Sequence, residues 1–195
     1  MLMAGLITLL FSACSTDYVP RPRGYPRIDL PKAEYQELNG NYPYSFQYSK
    51  ASVVKQDSSR LTEPYWVDIY YPTFDASVQI TYKPLKNSLK TLNELIEDSR
   101  KLTSKHQIKA SGIEEQTIKT EAGNTAYLFT LSGQVPSQFQ FYVTDSTRNF
   151  IRGALYFKTS TKNDSLQPVI NFISADMVKL LRSLKWKKPF NTPAQ

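Results

Sequence analysis

The chain has 195 residues, of which 41% are hydrophobic, and a formal net charge of +7. Thirteen tyrosines and ten phenylalanines supply apolar surface for a packed core, which excludes disorder throughout. A single histidine, His106, and a single cysteine exclude a zinc or other transition-metal centre built on several such ligands, and leave no pair for a disulfide.

Met1 to Leu10 form an apolar run, followed by Phe11, Ser12, Ala13 and the lone Cys14. That order has the form of a bacterial lipoprotein signal, in which an apolar segment enters the export machinery and the cysteine sulfur takes a lipid. The run falls short of the roughly 20 residues a membrane-spanning helix needs. We therefore expect residues 1–13 to be a signal peptide and Cys14 to be the lipid-attachment site. The alternatives are a plain secretory signal that leaves a free thiol, and a permanent span.

Residues 14–34 read as a tether. Pro20, Pro22, Pro26 and Pro31 block helix and favour extended backbone. Tyr25, Ile28 and Leu30 are apolar enough that part of the segment is expected to pack on the domain that follows. Arg21, Arg23, Arg27 and Lys32 concentrate positive charge here, and Lys179, Arg182, Lys185, Lys187 and Lys188 do so near the other end. These clusters are either solvated surface or a means of attraction to anionic lipid headgroups or envelope polymer. Export makes nucleic acid an unsuitable partner.

A single domain is expected over 35–195. Tyr44 to Tyr48 alternates; Val67, Ile69 and Tyr71 share one face of a strand, and Val78, Ile80 and Tyr82 one face of the next. Over 88–105 the period changes. Leu89, Leu92, Leu95, Ile96, Ser99 and Leu102 recur at three and four, which predicts a helix capped by Asn87 or Ser88. Strands return with a weak candidate over 106–119, a turn at 122–124, and alternation at Tyr127, Phe129 and Leu131. Phe139, Phe141 and Val143 follow, then Ile151, Gly153, Leu155 and Phe157. A helix over 166–185 closes the chain, with Val169, Ile170, Ile173, Met177, Leu180, Leu181 and Leu184 on its apolar stripe and Pro168 in its first turn. Short links between successive strands favour an α+β fold, an antiparallel β-sheet packed with helices.

No Gly-x-Ser-x-Gly elbow, Walker loop or dinucleotide glycine pattern is present. No cofactor is expected, and no catalytic residue is assigned. The loop Asp145 to Asn149 joins two aromatic-rich strands, and Asp145 is suited to fixing that turn. Arg152 shares a strand face with Phe150, Ala154 and Tyr156. Buried, it would need a carboxylate, for which Asp145 is the nearby candidate; exposed, it would mark a partner surface. Tyr25, between Arg23 and Arg27, either docks the tether on the sheet or joins these arginines in contacting another envelope protein.

Several strings resemble the gliding motility lipoprotein GldD family of the Bacteroidota. They are Pro20-Arg-Pro-Arg-Gly-Tyr-Pro-Arg-Ile-Asp-Leu-Pro31, Pro43-Tyr-Ser-Phe46, the long block from Gln140 to Phe157, Asp164-Ser-Leu166, Pro168-Val-Ile170 and Leu184-Lys-Trp-Lys187. Asn149 stands where the family often has His. The resemblance implies a non-enzymatic accessory lipoprotein of the gliding machinery, which is entangled with type IX secretion. Its partners would be other gliding and secretion envelope proteins, with the membrane held through Cys14. The strand–helix order is also similar to the Mog1/PsbP α-β-α sandwich. No acidic export tag follows Cys14, so a domain facing the periplasm is expected. Two other classes remain open: a small-molecule or glycan binder using Tyr127, Tyr142 and Trp66, and a hydrolase with clustered carboxylates.

Overall fold

Period-2 alternation in the middle of the chain builds one large sheet. The computed structural model describes residues 28–56, 62–105, 109–158 and 163–187. The elements run β1 (Tyr35–Glu37), β2 (Tyr44–Ser45), β3 (Gln47–Ser49), β4 (Val53–Gln56), β5 (Val67–Tyr71), β6 (Ala76–Pro84), α1 (Leu89–Ser104), β7 (Ala110–Lys119), β8 (Thr125–Gly133), β9 (Phe139–Thr144), β10 (Asn149–Phe157), α2 (Asn163–Ser183) and β11 (Lys185–Trp186). Seven of the strands form an antiparallel sheet in the order β4-β5-β6-β10-β9-β8-β7. The segments expected to be one strand at 44–48 are two, β2 paired with β11 and β3 with β1, in small sheets beside the large one.

The two faces of the large sheet carry different cores. One face offers Val67, Ile69, Val78, Ile80, Phe141, Val143, Ile151 and Leu155, all buried against the stripe of α2. The seven apolar residues expected to line that helix are all buried. Ile28 and Trp186 pack at its margin. The opposite face carries a smaller cluster, in which Phe129, Leu131, Tyr142 and Phe150 meet Leu92 of α1, with Leu95 and Ile96 alongside. The sheet is thus held between helices, the expected α+β sandwich.

Local chemistry explains the ends. The Ser88 hydroxyl accepts from the Thr91 backbone N–H at 3.1 Å and caps α1, settling the choice between Asn87 and Ser88. Asn87 instead adopts a left-handed backbone, φ 58°. Two helix expectations need correction. Leu89 is 69% exposed and Leu102 39%, so the packed stripe of α1 is narrower than its leucine spacing implied, and Thr103 is buried in their place. Pro168 lies inside α2 and not in its first turn, because the helix begins at Asn163.

Candidate interaction surface

Because α1 crosses from the end of β6 to β7 at the far edge, it covers only part of its face of the sheet. It seats on β9 and β10. The rest of that face, on β5, β6 and β10, carries Asp68, Tyr70, Ser77, Gln79, Thr81, Lys83, Arg152 and Tyr156, each half-buried or exposed. On the α2 side of the same strands, Val67, Ile69, Val78 and Ile80 are each 1% exposed. On these three strands, therefore, the α2 side is packed and the opposite side is polar and half-open.

Several groups on the open half are held by their neighbours. The Lys55 ammonium sits 3.4 Å from the centroid of the Tyr70 ring, and the Tyr70 hydroxyl donates to Asp75 Oδ1 at 2.9 Å. The Ser77 hydroxyl donates to Asp68 Oδ2 at 3.0 Å. Lys83 pairs with Glu63 and approaches the Trp66 ring, whose indole N–H donates to the Tyr82 carbonyl at 3.1 Å.

Arg152 lies at the boundary between the covered and open halves. Register places it opposite Thr81 on β6 and Tyr142 on β9. Its Nη2 donates to Gln140 Oε1 at 2.8 Å. The expected pairing with Asp145 is not formed. Asp145 is committed to the turn between β9 and β10. Its Oδ1 accepts from the backbone N–H groups of Thr147, Arg148 and Asn149 at 3.0, 2.8 and 2.9 Å, and its Oδ2 from Asn149 Nδ2 at 2.6 Å. Burial works to raise this carboxyl's pKa, but those four bonds outweigh it and hold the pKa below the usual aspartate value. Asn149 Oδ1 accepts in turn from the Tyr82 hydroxyl at 2.8 Å, fastening the turn to β6.

Asp145 is therefore a turn residue, and Arg152 alone of the two faces the open half. Cys14, Arg23, Tyr25, Arg27 and His106 lie outside the described residues. The aromatic residues considered for ligand binding are engaged in packing. Tyr127 stacks on Tyr142 at 4.7 Å, and Tyr142 on Phe150 at 5.6 Å, beneath α1.

Two polar clusters escaped the sequence reading. Asp176 of α2, 3% exposed, accepts from the Tyr35 hydroxyl at 3.0 Å and the Tyr71 hydroxyl at 3.1 Å. Burial pushes its carboxyl pKa up against the lowering effect of hydrogen bonds from Tyr35, Ser49 and Tyr71. It clamps β1 to the helix. Its position between Ile173 and Leu180 on the apolar stripe was the available signal. The second cluster is Gln138 and Gln140, both buried on the α1 side. No sequence signal separates them from outward-facing strand residues, since they alternate with Phe139 and Phe141.

Among the described residues, no group of His, Cys, Asp and Glu is placed to hold a metal ion. None of the helices there is long and apolar enough to cross a membrane. The fold aligns with the solution structure of cyanobacterial PsbP (CyanoP) from Synechocystis at 11% identity, covering 81% of this chain and 95% of that one, with a TM-score of 0.44. No curated protein matches the sequence. A model of the family described as gliding motility lipoprotein GldD matches residues 15–186, beginning one residue past Cys14 and ending at the last residue of β11. The chain belongs to the gliding motility lipoprotein GldD family.

Proposed function

We propose that this lipoprotein is a non-enzymatic component or assembly factor of the gliding motility and type IX secretion machinery. It is anchored through Cys14, with its domain facing the periplasm, and it docks another envelope protein on the open half of the sheet. Family membership supports the gliding role. The observation that carries the docking role is the unequal cover of the two faces. A patch on β5, β6 and β10 left polar, aromatic and cationic, where the other side of the same strands is packed, has the mixed character of a contact surface. Within this reading the chain turns over no substrate.

The test is a clean deletion complemented from a plasmid, scored for colony spreading and for release of type IX cargo. Loss of both, restored by the wild-type gene and not by a Gln79→Glu, Thr81→Glu double variant present at wild-type level, is the expected result. Both substituted side chains lie on the open half, one exposed and one half-buried. Normal spreading and secretion in the deletion strain would overturn the proposal and move ligand capture to first place.

A further inference from the structure

One amide on the boundary of the open half is only half used. Gln140 is 1% exposed, and its Oε1 accepts from Arg152 Nη2. A guanidinium carries donors only, so it fixes which end of the amide is oxygen. The Thr103 hydroxyl lies 3.3 Å from the same oxygen, with the Ser99 carbonyl as its closer acceptor at 3.0 Å. Gln140 Nε2 is left buried, with no acceptor among the described residues. A donor in that state costs about 1–3 kcal/mol. An acceptor brought from outside the chain would relieve that cost.

Arg152 is short of a partner in the complementary sense. Among the described residues no carboxylate pairs with it. Asp145 is spent on its turn, Asp68 accepts from Ser77, and Glu115 is gripped by both terminal nitrogens of Arg100 at 2.7 and 3.1 Å. The site has a floor as well. Ala154 lies directly between Gln140 on β9 and Gln79 on β6, so the shortest side chain of the row separates two amides, with Arg152 and Tyr156 on either side along β10.

We propose that Arg152 and Gln140 form the receptor for a carboxylate presented by the docked partner. One oxygen takes the remaining guanidinium N–H groups, and the other takes Gln140 Nε2 once the side chains over that buried amide part to admit it. A neutral acceptor would satisfy the amide and leave the guanidinium charge unmatched, whereas a carboxylate satisfies both with charge-assisted bonds. This inference rests on the docking reading of the open half, but its test does not.

The full chain, labelled with nitrogen-15 and held in neutral detergent, is titrated with succinate and, separately, with its neutral isostere succinamide. Saturable shifts of the Gln140 side-chain NH2 and Arg152 Nε–H signals with succinate alone are expected. Arg152→Gln should weaken them at least about tenfold, and Gln140→Leu should remove the shift at Arg152. Lys55→Gln, a change of equal charge on the same sheet, should leave them intact. Equal response to succinamide, no saturable shift in the wild type, or equal loss in Lys55→Gln would each overturn the proposal. Should Gln140→Leu not fold, the Arg152→Gln and Lys55→Gln comparison decides. Normal colony spreading by a strain carrying Arg152→Gln, with succinate capture intact in the wild-type protein, would refute the docking role and leave the carboxylate site standing.

Discussion

Gly153 shows how little slack the main core contains. It faces α2 from the centre of β10, directly across from Phe141. A Cβ added there would overlap the Phe141 ring, which is itself 1% exposed. The backbone of Gly153 is ordinary strand, so the constraint is space and not conformation. Gly153→Ala should lower stability by about 1–3 kcal/mol through overpacking, read as a fall in melting temperature. Combining it with Phe141→Leu, which vacates the ring, should recover part of the loss; no recovery would mean that the methyl strains something else. In the sequence Gly153 is a gap in the Ile151, Leu155, Phe157 alternation and nothing more. Arg152 was legible as a residue on the opposite face, but its partner was not. Asp145 is close along the chain, whereas the partner is chosen by register across β9, which brings Gln140 to the guanidinium. Proximity in sequence is a poor guide to contacts inside a sheet, because strand neighbours come from elsewhere in the chain.

At the level of elements, the strands and helices were legible because one face of each is apolar. What failed were features set by how much of an element another covers. The leucines of α1 mark a stripe, but α1 seats on part of the sheet only, so Leu89 and Leu102 at its margins meet solvent. The turn between β9 and β10 was legible from Asp145-Ser-Thr-Arg-Asn149 and carries a titratable clasp. Asp145 has a folded pKa below its unfolded value of about 3.9. Its stabilising effect is therefore fully present above that unfolded value and is lost as pH falls through the folded one. Asp145→Asn should cost about 1 kcal/mol at neutral pH, since an amide presents its own donors toward Asn149 Nδ2. The gap in melting temperature between wild type and variant should narrow below about pH 4. A gap that stays constant from neutral to acid pH would show that the carboxylate charge does not hold the turn.

For the whole molecule, the question is what holds it at a membrane. Two physical routes exist: acyl chains on Cys14 and the excess of positive charge. The described cations at the C-terminal end are partly engaged within the fold. Lys185 pairs with Glu121 at 3.5 Å, Lys187 reaches the Gly40 carbonyl at 3.4 Å, and Lys179 lies 5.9 Å from the Tyr35 ring centroid. Charge attraction is also screened, with a Debye length of about 3 Å at 1 M salt. Burial of acyl chains is indifferent to salt and contributes about 0.8 kcal/mol per methylene, so that more than one chain anchors stably. The routes therefore separate in a fractionation experiment. Wild-type protein should stay with membranes through a wash in molar salt and leave only with detergent. Cys14→Ala, which keeps every charge and the whole folded domain, should appear in the soluble fraction or be lost to mislocalisation. If the alanine variant sediments with membranes after the same wash, the anchor is neither the lipid on Cys14 nor the basic surface. An uncleaved apolar segment at residues 1–13 would then be the remaining attachment to examine, by comparing the mass of the mature chain with that of the full sequence.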